Sequence, residues 1–491
     1  MAKSLTDKSL SGITWVITEK FGSTAINFLV NIILARLLSE DDFGILAMVF
    51  VFFEISTTLV YSGLPAALIR EKQVSEADKS TTFFFNFGAA LVLYFVLYAS
   101  APSIASFFNK EQLQPIIRVM SLNLIIVSFS IIQRTLLDRE LHFKTQTKTR
   151  LAGIVISGAV AVAMAFAGFG VWSLVAKFVL LSLIDTVLLW IYSGWRPKWI
   201  FSVSSFKRLF GFGSKILATS FLDHSFTHAF KLVIGKFFSM GVLGYYHWAN
   251  SFRNLVITSL FQTIQRVSYP LLSKFNGDLP GLKGGYRKVI QISSFIIIPS
   301  MIWLAALAEP IVVATIGSKW LPAVPFLQLL CISGLAFHFN AVNLNMLLVI
   351  GRSDLGLVLE IFKKIGIVAA VFVGLQFGIY GLVIGEVASA YVALFINTAY
   401  SKKLLRYSLF EQISDVQSTG VIAIIMGAIV FGVDQLIDAH AIIRVIVGGL
   451  VGAGTYLGLH FVSRSSEMDL LRSIIVPKIK RMLAKESGLP E

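Results

Sequence analysis

With 491 residues, 56% of them hydrophobic and only 14% charged, the chain is too apolar for a soluble enzyme, whose domains carry roughly 25% charge. A net charge of +15 would suggest a nucleic-acid partner in a soluble protein. In so apolar a chain it reads instead as the lysines and arginines that hold cytoplasmic loops inside, and no nucleic acid is expected. The lone Cys331 excludes an internal disulfide.

The N-terminus is short and basic, with Lys3 and Lys8, and leads straight into a full-length apolar run. No small-residue cleavage site follows, so an uncleaved first helix is expected. About fourteen runs are long enough to cross a bilayer core of roughly 30 Å. In chain order they lie near 13–35, 43–69, 81–106, 116–137, 151–168, 171–193, 211–235, 241–272, 289–316, 326–350, 357–377, 380–400, 419–437 and 441–462. The expected fold is thus an all-α polytopic membrane protein. With the N-terminus inside, alternation gives inside segments that hold Arg70, Lys72 and Lys79, then Arg134, Arg139, Lys144, Lys148 and Arg150, then Arg196, Lys198, Lys207 and Arg208. Further along they hold Lys274, Lys283, Arg287 and Lys288, then Arg352, then Lys402, Lys403 and Arg406. The outside loops keep only Arg36, Lys110, Lys236 and Lys319. That asymmetry places both termini of a multi-pass membrane protein in the cytoplasm.

The chain repeats itself. Ala35-Arg36-Leu37-Leu38-Ser39, running on to Phe43-Gly44, returns as Gly235-Lys236-Phe237-Phe238-Ser239, running on to Leu243-Gly244. Phe169-Gly170-Val171-Trp172-Ser173-Leu174-Val175 returns as Phe377-Gly378-Ile379-Tyr380-Gly381-Leu382-Val383. The repeat unit is roughly six spans, an even number, so the halves are parallel and related by a pseudo-twofold axis along the membrane normal. The domains expected are 1–200 and 201–405 as bundles, 406–465 as two further helices, and 466–491 as a basic tail. That tail either lies along the inner leaflet as an amphipathic segment or stands solvated.

Polar residues three and four apart share a helix face. The first span carries Lys20, Thr24, Asn27 and Asn31; the seventh carries Ser220, His224, Thr227 and Lys231, with Asp223 and His228 alongside. The second carries Glu54, Thr58 and Ser62; the eighth carries Asn254, Thr258 and Gln262, extended by His247, Asn250, Gln265 and Arg266. Four helices lining one cavity is the simplest account. A charge at mid-bilayer costs about 2.5–3.5 kcal/mol on insertion scales, so it must face a cavity, a partner or water. Lys20, Lys231, Arg253 and Arg266 supply positive charge for a substrate, as Lys177 also could, and Asn27, Asn31, Asn250 and Asn254 supply amides. Glu54, Asp185 and Asp223 are the candidates for ion coupling, with Glu360 and Glu386 also acidic. The plainer alternative is that such charges neutralise one another or snorkel to an interface. Tyr245 and Trp248 present either a sugar-binding surface or an interfacial belt. No cluster has metal-ligand spacing, and no phosphate loop or nucleophile–base motif stands out, so neither catalysis nor a cofactor is expected. Glycines such as Gly374, Gly381 and Gly385 point to close helix packing in lipid. Pro65, Pro270 and Pro299 are expected to kink or end their helices.

Ser11-Gly12-Ile13-Thr14-Trp15, Leu34-Ala35-Arg36, Phe43-Gly44 and Gly317-Ser318-Lys319-Trp320, with Pro325 and Leu327-Gln328-Leu329-Leu330-Cys331 beyond, together carry a resemblance. The chain resembles the Wzx-type polysaccharide flippases of the MOP superfamily, and within them the branch of the colanic acid exporter. The resemblance implies two six-helix bundles around a central cavity. It also implies the transfer of undecaprenyl-pyrophosphate-linked oligosaccharide from the cytoplasmic to the periplasmic leaflet, for exopolysaccharide or lipopolysaccharide biosynthesis. Membrane lipids are implied as surroundings, and a polysaccharide polymerase and a chain-length regulator as partners. Cationic residues hold the pyrophosphate in related flippases; by position Lys20, Lys231, Arg253 and Arg266 would do so here. The alternative is a MATE-like antiporter of small cationic compounds, with Glu54 and Asp223 as proton or sodium sites. The excess of intramembrane Lys and Arg argues against a cationic cargo. A membrane-bound glycosyltransferase or polymerase would need a large catalytic loop, and none is expected between these spans.

Overall fold

The computed structural model describes residues 22–273, 278–350, 352–465 and 467–468, and every regular element among them is helical. The helices begin with α1 (Gly22–Leu37). There follow α2 (Glu40–Tyr61), α3 (Leu64–Arg70), α4 (Glu76–Phe107), α5 (Leu113–Arg139), α6 (Phe143–Phe166), α7 (Val171–Ser193), α8 (Val203–Thr227) and α9 (Ala229–Phe237). Then come α10 (Met240–Ser273), α11 (Leu279–Ala306), α12 (Ala308–Thr315), a 3-10 turn at Ser318–Ala323, α13 (Val324–Val349) and α14 (Ser353–Leu375). The described chain closes with α15 (Gly378–Leu405), α16 (Leu409–Ser414), α17 (Gln417–Leu436) and α18 (Ala441–Val462). Ten helices among the described residues are long and apolar enough to cross a membrane. Phe95, Phe166, Phe372 and Phe395 stand exposed, a surface that lipid accepts and water does not.

Two expected spans, 171–193 and 441–462, match α7 and α18 residue for residue. Others are interrupted. The run 43–69 divides into α2 and α3 because Ser62 and Gly63 turn left-handed, at φ 50° and 70°. Pro65 then sits in the first turn of α3, where its missing N–H costs nothing and its fixed φ suits the helix. Pro299 does not end its helix; α11 continues to Ala306.

By packing the chain divides into two compact units, Met1–Gly244 and Tyr245–Glu491. In the first, α4 packs on α5, α6 on α7, and α5 on α7; in the second, α11 packs on α13, α14 on α15, and α13 on α15. The same pairing order recurs, so the duplication read in the sequence is also present in how each unit is packed. This packing limit and the sequence-drawn limit near 200 measure different things. α8 follows the basic linker yet packs against α2 and α3, and the linker itself is fastened to the start of α4. There Arg208 donates to the buried Asp78 at 2.5 Å, the Ser202 N–H to Thr81 Oγ1 at 2.9 Å, and Trp195 Nε1 to Glu76 at 3.1 Å.

Several basic residues assigned to inside loops thus have structural work as well. Arg139 donates to the carbonyls of Leu68 and Glu71, at 2.6 and 2.5 Å, closing the C-terminus of α3. Apolar packing around this corner involves Leu64, Leu68, Phe83, Ile132 and Leu209. In the second unit, a Cβ on Gly374 would stand 2.6 Å from the Gly381 carbonyl oxygen, and one on Gly385 would stand 2.7 Å from that of Ala370. These glycines bring α14 and α15 into backbone contact, as their positions in the apolar runs led one to expect.

Candidate functional site

On α2, Glu54 and Thr58 lie one turn apart; on α8, so do Ser220 and His224. The two faces meet across a cavity of about 440 Å³, lined by Glu54, Thr58, Tyr61, Ser220 and His224 and by apolar residues such as Phe53 and Ile216. The polar stripes inferred for the second and seventh spans therefore share one space within the first unit. His228 occupies the junction of α8 and α9, capping the end of one and the start of the other. Its Nε2 lies 2.6 Å from Glu54 Oε2, and Lys231 is close enough to act electrostatically on the same carboxylate. Ser62, the third member of the α2 stripe, turns away and donates to Asn86 on α4 at 2.8 Å.

The sequence offers no cluster with metal spacing, but the fold makes one. The ligand atoms of Glu54, His224 and His228 all lie within 4.8 Å of one another. The four-residue spacing of the histidines was the available signal; the carboxylate comes from a distant helix, which spacing along the chain cannot reveal.

A second cluster forms in the second unit around Arg253 on α10. Its guanidinium donates to Glu386 Oε1 at 3.0 Å, Ser333 Oγ at 2.9 Å, Asn250 Oδ1 at 2.5 Å and Asn254 Oδ1 at 3.2 Å. Tyr246 donates to the other oxygen of Glu386 at 2.5 Å. Three of the proposed substrate residues, Asn250, Arg253 and Asn254, are thus brought together. Glu386 and Tyr246 complete the network; neither was singled out as a partner of Arg253, because the carboxylate arrives from α15. A guanidinium with four acceptors and a paired carboxylate is a charge made tolerable inside a helix bundle.

The remaining candidates scatter. Asn31 on α1 accepts from Lys177 Nζ on α7 at 2.5 Å, and Asn27 keeps a buried Oδ1 without a hydrogen bond. Asp185 is buried on α7, with Arg134 at 2.5 Å and Arg150 at 3.8 Å. Asp223 is exposed on α8, and its carbonyl accepts from Thr227 at 2.8 Å. Arg266 lies on α10, but its side chain falls outside the described residues, as does Lys20 altogether. Trp248 is buried against Trp320 and Phe252 and so forms neither a sugar surface nor a lipid belt.

Residues 33–325 match the model of a family described as polysaccharide biosynthesis protein. The chain is 25% identical to the teichuronic acid biosynthesis protein TuaB of Bacillus subtilis (strain 168), covering 93% of this chain and 96% of that one. It is 26% identical to the lipopolysaccharide biosynthesis protein WzxC of Escherichia coli (strain K12) over 78% of each. It is 22% identical to the succinoglycan biosynthesis transport protein ExoT of Rhizobium meliloti (strain 1021), over 98% and 97%. Among solved structures, the inward closed conformation of the lipid II flippase MurJ superposes with a TM-score of 0.76 at 17% identity, over 94% of this chain and 100% of that one. An inward-facing MATE family transporter of the MOP superfamily gives 0.59 at 16% identity, over 79% and 96%. These two likenesses show the fold, a helical polytopic membrane architecture. The family match covers more than half of the sequence and the relatives align over most of their length: the chain belongs to the polysaccharide biosynthesis protein family.

Proposed function

We propose that this protein is a flippase, not an enzyme, that carries lipid-linked oligosaccharide repeat units from the cytoplasmic to the periplasmic leaflet of the bacterial inner membrane. The observation that carries this reading is the cavity between α2 and α8, largely apolar but faced by Glu54, Thr58, Ser220 and His224, in a member of a polysaccharide biosynthesis family. Relatives named for teichuronic acid, lipopolysaccharide and succinoglycan biosynthesis support a glycan cargo. The physics of such a cargo supports it further. An undecaprenyl pyrophosphate headgroup crossing a low-dielectric core needs compensating positive charge, and a glycan needs hydroxyl and amide partners.

In this reading Lys20, Lys231, Arg253 and Arg266 hold the pyrophosphate, while Asn27, Asn31, Asn250 and Asn254 meet sugar hydroxyls. Glu54 leads Asp185 and Asp223 as the ion-coupling group, because it lines the cavity while Asp185 is engaged by arginines. Both termini lie in the cytoplasm, and a polymerase and a chain-length regulator take up the product outside. A MATE-like antiporter would place a cationic compound beside Lys231, where like charge repels it.

The test is deletion of the gene followed by lipid extraction. Lipid-linked oligosaccharide should accumulate in the cytoplasmic leaflet, wild type should relieve it, and Lys231→Ala should not. Normal glycan export in the deletion, with altered sensitivity to cationic drugs, would overturn the flippase in favour of the antiporter.

A further inference from the structure

We propose that Glu54, His224 and His228 form a binding site for one divalent transition-metal cation, Zn²⁺ foremost, linking α2 to the α8–α9 junction. Two imidazoles and a carboxylate are a ligand set suited to Zn²⁺, with a fourth position left for water or substrate. The histidines stand four apart, so a helical backbone presents both on one face. Their ligand atoms and that of Glu54 already lie within 4.8 Å of one another. With metal–ligand distances of about 2.0–2.2 Å, tetrahedral donors stand roughly 3.3–3.6 Å apart, so Glu54 Oε2 and His228 Nε2, now 2.6 Å apart, would open to admit the ion.

A second observation points to a ligand. His228 is 4% exposed, and neither of its ring nitrogens makes a hydrogen bond of ordinary geometry, although Glu54 Oε2 stands only 2.6 Å from Nε2. Among the described residues Nδ1 has no partner and Nε2 has only Glu54, the carboxylate that a metal ion on Nε2 would share. Glu54 and His224 both face the cavity, which gives an ion its path in and leaves the open coordination position toward that space. Lys231 acts on the Glu54 carboxylate and counts against a cation, but a flexible ammonium stem can swing away where a second buried charge would not. Imidazole ligands favour Zn²⁺ over Mg²⁺ and Ca²⁺, which prefer all-oxygen sites. The inference concerns metal binding and stands apart from the identity of the cargo.

The experiment uses the full untagged chain in detergent, stripped with a chelator and titrated with Zn²⁺ against a chromogenic competitor. One ion per chain is expected, not displaced by excess Mg²⁺. Loss of a direct ligand should matter at least as much as loss of an outer-shell partner, so His224→Asn and Glu54→Gln should each weaken binding by more than about tenfold. The exposed His224 keeps the test valid should His228→Asn fold poorly. His440→Asn, which alters a histidine outside the cluster, should bind as wild type does. Binding unchanged in the His224 and Glu54 variants, or no stoichiometric binding at all, would overturn the site and leave Glu54 and His228 as a plain acid–imidazole pair.

Discussion

Arg253 is held in a helix bundle by the acceptors around it. Its side chain and that of Glu386 each keep 15% of their surface exposed, so both charges are largely out of water. Removing one partner of such a pair strands the other, at a cost of about 3–5 kcal/mol. Arg253→Ala should therefore lower the Tm of the purified protein sharply, and Arg253→Ala with Glu386→Ala together should recover part of that loss without recovering glycan export. A double variant as unstable as the single one would deny that Glu386 is the group left stranded. A milder charge effect lies outside the membrane spans, at Glu411 on α16. The Ser408 N–H, donating at 2.7 Å, and then Lys283, at 3.0 Å, hold its carboxyl below the usual range. A carboxyl lowered by folding stabilises above its unfolded value of about 4.3, and that contribution fades as pH falls through the folded value. Glu411→Gln should accordingly lower stability at neutral pH and leave the acid side of a Tm-against-pH curve less altered, so that the curve flattens.

At the scale of elements, the repeated hairpin accounts for a contact that is symmetric in residue number. α2 starts at Glu40 and α10 at Met240. A Cβ on Gly44 would stand 1.8 Å from the Met240 carbonyl oxygen, and one on Gly244 would stand 2.1 Å from that of Glu40. Each glycine admits the backbone that opens the other copy of the hairpin, a self-complementary arrangement. Backbone oxygens cannot step aside as a side-chain tip can. Gly44→Ala should force the helix starts apart and destabilise by about 1–3 kcal/mol, with Gly244→Ala doing the same. Thermal melts of both variants check this, and wild-type stability in either one would show that the contact is not held as described.

For the molecule as a whole, charge asymmetry makes a topological prediction. In a Cys331→Ser background, Lys110→Cys and Lys319→Cys should react with an impermeant thiol reagent in intact spheroplasts. Lys72→Cys and Lys148→Cys should react only after permeabilisation. The reverse pattern would invert the protein in the membrane. Exposed phenylalanines along the long helices agree with a bilayer surrounding them, and the shared pairing order of the two units agrees with an internal duplication.

The sequence by itself determined the membrane class, the places of most of the spans, the duplication, and the helix faces that carry Glu54, Thr58, Ser220 and His224. These follow from local composition, helical period and loop charge, which need no knowledge of neighbours. Even the α2–α3 break was signalled by Pro65, because a proline constrains its own turn. Only the tertiary structure decided which polar groups meet. Glu54 reaches His228, Arg253 reaches Glu386 and Asp185 reaches Arg134, each across helices far apart in the chain. A pairing across packed helices depends on rotation and depth, and neither is encoded at any single position.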